Sequence, residues 1–459
     1  MSKLTYDELK LPFYTNSSVA VRLPAKVGGK MKTIELTVCD VVYAAELAGL
    51  NMMFVSDTGR GKTQLVSDIA WHHFNGDSQG GGANWADGRP GFEIEDLFVR
   101  QRVDLGSGEY DSDKARQLKI ERTQRPFFVV DELNRAPKPK QNEFFDLADG
   151  KFTFNGIRYK LGRAGYSVFV ATANLNRLNG DFEGIYELDR ALMGRAHLTF
   201  DLDNKDFRPT YEDKIVIAER KANPKVDIAE PKDISGKILI ANKEIVTQAT
   251  KLDPYMMLFD YLIDSGLDYC AKDSYKEKGP AWPMNCAECT ETGRDLCSLI
   301  KASSERTVPA VKSLAYAFSY IAKLKEGKEV EIDPLEAALQ AFRFTTYHGN
   351  LNDIVANEQY QARKQIMMDE TVVKLGEAVK KVKGYFPVMF DEGKPVLLKY
   401  TNPGTGKEET IVKDDDTVKA LRDKNIAYTE TDLKQELKDE GIGAEWVDTY
   451  VDNMDRMRT

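Results

Sequence analysis

The chain has 459 residues, too many for one ordinary hydrophobic core, so about two to four domains are expected. Apolar residues at 42% and charged residues at 30% describe a globular protein; no run approaches the roughly 18 apolar residues of a membrane span, and the opening "MSKLTYDELKLPF" is too polar for a secretory signal, so a cytoplasmic location is expected. The formal net charge is −9 with opposite signs interspersed, which argues against a general nucleic-acid binder.

In chain order, "SSVAVRLPAKVGGKMKTIELT" (17–37) alternates around Gly28-Gly29 and predicts a β-hairpin. "VCDVVYAAELAGL" reads as a helix and "NMMFV" as a buried strand, followed by "SDTGRGKT" and the helix "KTQLVSDIAWHHF". Strand, glycine loop and helix form the context of the phosphate-binding pattern G-x-x-x-x-G-K-[ST], with Ser56 where the first glycine would stand. A small residue at the loop's entry is expected to be tolerated. The candidate nucleotide-binding residues are Ser56, Asp57, Thr58, Gly59, Arg60, Gly61, Lys62, Thr63 and Gln64. Gly59 and Gly61 would let backbone amides face phosphate oxygens, Lys62 would reach the β- and γ-phosphates of ATP, and the Thr63 hydroxyl would ligate Mg2+.

The segment "NGDSQGGGANWADGRPG" (75–91) has no periodicity and predicts a mobile loop. "RPFFVVDELNRAP" is a buried strand ending in two acids: Asp131 would hold Mg2+ through water, and Glu132 would polarise the attacking water. Alone, such a pair reads equally as a solvated loop; after an apolar strand and downstream of the glycine loop, it reads as part of a nucleotide site. A helix, "KQNEFFDLADG", leads into "KFTFNGIRYKL", where Asn155-Gly156 signals a type I′ hairpin. "YSVFVATAN" is a further apolar strand ending in polar residues, and "YELDRALMGRAHLTFDLD" follows. Apolar strands alternating with helices predict an α/β fold with a parallel sheet and a site at the strand C-termini.

The expected domains are an N-terminal hairpin segment (1–35), an α/β nucleotide-binding core (36–204), a helical lid (205–350) and a small α+β C-terminal domain (351–459). The last contains a helix (360–383), a hairpin in "KPVLLKYTNPGTGKEETIVK" and an acidic helix near the end. "NPGTGKEE" resembles a second phosphate loop, but Glu408 follows Lys407 where Ser or Thr is required, so it reads as a hairpin turn.

Four of the five cysteines, Cys270, Cys286, Cys289 and Cys297, lie close together, with Cys286 and Cys289 at two-residue spacing. The set suits a structural tetrahedral Zn2+; an iron–sulfur cluster could use the same thiolates, and unrelated buried thiols are the remaining alternative. The cluster would pin an insertion of the lid at about 268–300.

The motifs "SDTGRGKT", "VVDELNRAPKPKQN", "FVATAN", "ELDRALMGRAH" and the later "SSERTVPAVKSLAYAF" together resemble the AAA+ ATPases, and within them the MoxR-like group, over roughly residues 36–350. The resemblance implies an AAA+ P-loop core with a helical lid, and an ATPase. It implies Asn174 as the sensor residue facing the γ-phosphate, Arg195 as the arginine finger with Arg190 as a second candidate, and Arg306 as the lid arginine. A finger acting in trans implies a homo-hexameric ring. The group's usual role implies remodelling of a protein client, with a separate von Willebrand factor A domain protein as a candidate partner. A DNA-directed AAA+ motor and a nucleotide-gated scaffold with little turnover are the alternatives. The "FTFNGIRY" hairpin stands where related ATPases carry a pore-facing hairpin, and is otherwise a plain surface hairpin.

Overall fold

The computed structural model describes residues 3–75, 82–101, 116–174, 186–220, 225–251, 254–264, 267–268, 270, 295–383, 390–391, 394–395, 397–401 and 408–412. Two compact units result. The first comprises Met1–Ala249, Pro309–Asp333 and Phe344–His348, and the second Thr250–Val308, Pro334–Arg343 and Gly349–Thr459.

The first unit opens with helix α1 (Tyr6–Leu9) and the expected hairpin of β1 (Val19–Val27) and β2 (Lys30–Thr37), paired from Val19↔Thr37 to Val27↔Lys30. A strand from far along the chain, Val330–Ile332, completes this sheet by pairing antiparallel to β1. Helix α2 (Val38–Ala48) starts where Thr37 accepts from the Asp40 amide and Asp40 accepts from the Thr37 amide, a reciprocal cap. It ends at Gly49 in the left-handed region.

The central sheet begins with β3 (Met52–Val55), whose four side chains are all buried, and α3 (Lys62–Phe74) follows it. Then come β4 (Ala83–Asp87), α4 (Ile94–Phe98), the short pair β5 (Val99–Gln101) and β6 (Arg116–Leu118), and α5 (Ile120–Thr123). Strand β7 (Phe127–Asp131) precedes α6 (Lys138–Gln141), α7 (Glu143–Ala148) and the hairpin β8 (Lys151–Phe154) and β9 (Ile157–Lys160). Strand β10 (Val168–Ala173), α8 (Arg190–Met193) and β11 (Leu198–Asp201) complete the core.

These five strands pair in parallel in the order β11-β3-β10-β7-β4. The fold is α/β, with a five-stranded parallel sheet flanked by helices, as a P-loop core has. Continuous apolar runs such as "FFVV" and "VFVATA" follow from burial on both faces. The chain goes from β3 to the far edge, returns through β7 to β10 beside β3, and continues to β11 on the other side. That reversal opens a crevice at the strand C-termini between β3 and β10.

One expectation is corrected. The stretch 75–91, read as a mobile loop, contains β4, whose register with β7 runs from Ala83↔Phe127 to Asp87↔Asp131. "ANWAD" lacks the β-branched residues that announce a strand. As an edge strand it is fixed by backbone pairing to β7 and by the buried Arg125, whose Nη1 donates to the Ala83 carbonyl at 2.8 Å.

Helices α9 (Tyr211–Arg220) and α10 (Ser235–Ala249) continue the first unit. The second unit begins with helices, α11 (Pro254–Ile263), α12 (Leu296–Leu299) and the start of α13 (Thr307–Glu326), most of which belongs to the first unit, as does β12 (Val330–Ile332). Helices α14 (Pro334–Phe342), α15 (Asp353–Tyr360) and α16 (Lys364–Lys383) follow in the second unit. Two small antiparallel pairs come last: β13 (Phe390–Asp391) with β14 (Lys394–Pro395), and the expected hairpin of β15 (Leu397–Thr401) and β16 (Glu408–Val412). The acidic helix expected near the end lies outside the described residues. Among the described residues no helix is long and apolar enough to cross a membrane.

Candidate functional site

The glycine loop leaves β3 at Ser56, which is fully buried and whose amide donates to the Ala173 carbonyl at the end of β10. Gly59 and Gly61 adopt φ of 76° and 81°, a region where a side chain is strained, and Gly61 caps α3. Asp203, just beyond β11, secures the loop: its carboxylate accepts from the Asp57 amide at 2.7 Å and from Arg60 Nε at 3.1 Å.

Lys62 is nearly buried, and its Nζ donates within the loop to the Ser56 carbonyl (3.0 Å), the Ser56 hydroxyl (2.7 Å) and the Asp57 carbonyl (3.0 Å). It also reaches across to Asn174 Oδ1 at 2.8 Å. Burial pulls the amine down to about 8, against the attraction of Asp203, Asp131, Asp57 and Glu132. Ser56 therefore does more than tolerate the glycine position: its hydroxyl is a ligand of the loop lysine.

The two acids sit at the end of β7. Asp131 Oδ1 accepts from the Thr172 hydroxyl of β10 at 2.5 Å and lies 3.5 Å from Thr63 Oγ1. Glu132 takes a left-handed conformation, φ 53° and ψ 47°, and its amide donates to Thr172 Oγ1 at 2.9 Å. Its carboxylate pairs with Arg135 at 3.0 Å. Burial pushes the Glu132 carboxyl upward, with Arg135 opposing and Asp131 adding to the rise.

Asn174, one residue past β10, is held by a residue without an assigned role in the sequence reading. Asn134, fully buried in the turn after Glu132, donates from Nδ2 to the Asn174 carbonyl (3.0 Å) and accepts at Oδ1 from the Asn174 amide (3.1 Å). It belongs to the quoted run "DELNRAP", so position was the only available signal.

Loop, acids and Asn174 line one pocket of about 660 Å³. The pocket is also lined by the apolar Phe13, Tyr14, Pro209, Ile217 and Val226, together with the cations Arg208 and Lys214. Phe13 and Tyr14 come from the segment before β1, and Tyr14 lies against Gly61, where an added Cβ would sit 3.4 Å from the tyrosine ring. Nothing in the local sequence around Phe13 and Tyr14 pointed to this placement. A phosphate-binding loop and apolar side chains in one pocket suit a nucleotide.

No protein-family model matches this chain, and no curated protein matches it. Among solved structures 305 chains are similar. One, described as a "putative ATPase" from Cytophaga hutchinsonii ATCC 33406, shares 17% identity over 73% of this chain and 87% of its own, with a TM-score of 0.49.

The remaining candidate residues lie elsewhere. Arg195, after α8, is engaged within its own chain: Nε donates to Asp149 Oδ1 at 3.0 Å, Nη1 donates to the Ala191 carbonyl, and the guanidinium lies 4.6 Å from the centre of the Phe145 ring. Arg190 is exposed at the start of α8. Arg306 is exposed in the turn before α13, in the second unit. Cys270 and Cys297 are half-buried, whereas Cys286 and Cys289 lie outside the described residues. Among the described residues no cluster of three metal-ligating side chains occurs.

The donor set at Thr63 and Asp131 fits Mg2+: a hydroxyl and a carboxylate, both hard oxygen ligands, face each other at the phosphate end. Gln64 is not available there through its side chain, which is directed to Asp68 and to the backbone of Asp227.

Proposed function

We propose that this chain is a cytoplasmic Mg2+-dependent ATPase of the MoxR-like AAA+ kind. The observation that carries the reading is the convergence of the glycine loop, the acids of β7 and Asn174 on one pocket, with Lys62 bonded to Asn174 at 2.8 Å across the crevice. Backbone amides of the loop and Lys62 bind the triphosphate, and the apolar lining around Phe13, Tyr14 and Val226 receives the base. Thr63 and Asp131 would hold Mg2+, which when bound neutralises phosphate charge. Glu132 accepts a proton from the water whose oxygen bonds to the γ-phosphorus as the bond to ADP breaks. Its upward-shifted carboxyl suits that task. Asn174 orients the water or the γ-phosphate from the neighbouring strand.

Sequence resemblance supports the rest: a ring with an arginine in trans, a lid arginine at Arg306, and a protein client, with a von Willebrand factor A domain protein as the candidate partner. For the finger, the exposed Arg190 is favoured over the internally bonded Arg195. Zn2+ on Cys270, Cys286, Cys289 and Cys297 is proposed from spacing, and metal analysis of the purified chain should return one zinc per chain. Finding iron or no metal would overturn that assignment.

The deciding experiment is Glu132→Gln. The variant should bind ATP as the parent does and lose hydrolysis about 10²-fold or more; undiminished turnover would remove Glu132 from the chemistry. Held in its ATP state, the variant should capture a protein client. ATPase stimulation by DNA at moderate salt, with no response to protein, would favour the DNA-directed motor instead.

A further inference from the structure

Two parts of the apolar lining come from segments more than 200 residues apart, Phe13–Tyr14 and Val226 with its neighbour Asp227, yet both are tied to successive turns of α3. Asp68 Oδ2 accepts from the backbone amides of Phe13 (2.9 Å) and Tyr14 (2.6 Å). Four residues earlier, on the same helix face, the Gln64 amide forms a two-point contact with one residue of the other segment. Its Nε2 donates to the Asp227 carbonyl and its Oε1 accepts from the Asp227 amide, both at 2.9 Å. The two side chains are joined, Gln64 Nε2 donating to Asp68 Oδ1 at 2.9 Å. Gln64 and Asp68 are largely withdrawn from solvent, where such bonds count most.

We infer that the Gln64–Asp68 pair is a positioning device that sets the spacing of the nucleobase walls, so that base discrimination is governed from α3 separately from phosphate binding. The inference rests on the nucleotide reading above. Helix α3 begins with Lys62 and Thr63 at the phosphate end, and its next turn carries Gln64 and Asp68. Phosphate and base are therefore registered against one rigid element. Asp68 acts through the backbone of Phe13 and Tyr14, which line the pocket, and Gln64, at the pocket's edge, acts through Asp227, the neighbour of the lining Val226. With the walls held by an amide and a carboxylate, the base is gripped by apolar faces of fixed separation, which selects for a planar ring of matching width.

The test compares ATP, CTP and inorganic tripolyphosphate as ligands of the full chain by calorimetry, using tripolyphosphate as the probe without a base. In the parent, ATP should bind more tightly than both. Gln64→Ala should weaken ATP about tenfold, as loss of buried hydrogen bonds implies, narrow the ATP-to-CTP preference, and leave tripolyphosphate within about twofold. Gln64→Met, which keeps the side-chain length, should behave likewise, and the unliganded melting temperature of each variant shows whether it is folded. Asp68→Asn, whose amide must turn its Nδ2 donors either to the Phe13 and Tyr14 amides or to Gln64 Nε2, loses one of the two sets of bonds and should likewise weaken ATP while sparing tripolyphosphate. Equal weakening of ATP and tripolyphosphate, or unchanged ATP binding in folded variants, would overturn the inference. A parent chain that binds neither ATP nor tripolyphosphate would instead overturn the nucleotide reading on which it rests.

Discussion

Raising the pH from 7 to 9 should weaken ATP binding about tenfold, and the loss should run through Lys62. Burial pulls the Lys62 amine from its ordinary 10.5 to about 8, because the surrounding oxygens and acids do not fully replace the water it has lost. A group depressed in this way sheds its proton as pH rises through about 8, so the cation that would meet the phosphates is present below that value and absent above it. The charged fraction is about 0.9 at pH 7 and about 0.1 at pH 9, and apparent affinity scales with the competent fraction. The sign for stability is opposite. Between about 8 and 10.5 the unfolded chain binds the proton that the folded chain has released, so Lys62 makes the fold more stable as pH rises there. Weakened binding in this window is therefore not unfolding. Calorimetry at fixed Mg2+ should show the affinity falling above pH 8, accompanied by proton uptake on binding. Lys62→Arg keeps its charge throughout, and whatever affinity it retains should be flat with pH. A flat profile in the parent, or the same tenfold loss in the arginine variant, would refute the assignment to Lys62.

Two other substitutions separate neighbouring roles. Asn134→Leu removes both bonds that fix the Asn174 backbone, so turnover should fall about 10²-fold from misplacement while the Kd for ATP stays within about threefold; a kcat equal to the parent's would show that Asn174 needs no such support. Arg195→Ala cuts the bond to Asp149 and the contact over Phe145, and should lower the melting temperature by a few degrees, a loss of about 1–2 kcal/mol. Arg190→Ala should leave the melting temperature unchanged and reduce turnover in a way that added parent subunits partly restore. The reverse pattern would return the finger to Arg195.

The backbone-level features were legible in the sequence, whereas the bonds that tune the site were not. Three strands of the central sheet announce themselves because burial on both faces demands unbroken apolar runs, and the acids of β7 follow such a run directly. The two edge strands carry no such run: β11, "LTFD", is four residues long with Thr199 inside it, and β4 is specified by its partner's backbone, leaving "ANWAD" free of any strand pattern of its own. The same limit hid Phe13 and Tyr14. Their place at the pocket is fixed by Asp68, more than 50 residues away, and no local pattern encodes a contact between a loop backbone and a distant carboxylate. Asn134 and Gln64 were in view within the motifs, yet their work lies in pairing side-chain amides with distant peptide groups, which residue type and spacing do not disclose.

Ser56 is where motif reasoning and geometry part most clearly. As a replacement for glycine it reads as a tolerated departure, since a small residue can still turn the chain. In the structure its hydroxyl donates to the Asp57 carbonyl at 2.8 Å, which leaves its lone pairs free to face Lys62 at 2.7 Å. The lysine ammonium has three protons and finds four oxygens: the Ser56 carbonyl and hydroxyl, the Asp57 carbonyl, and Asn174 Oδ1. With glycine at this position the count would be three, and every one of those contacts, Asn174 included, would be needed to satisfy a buried cation. The serine supplies the extra acceptor from within the loop. Asn174 can then turn away from Lys62 toward a phosphate without leaving a buried ammonium proton unbonded, which is the freedom its proposed role facing the γ-phosphate requires.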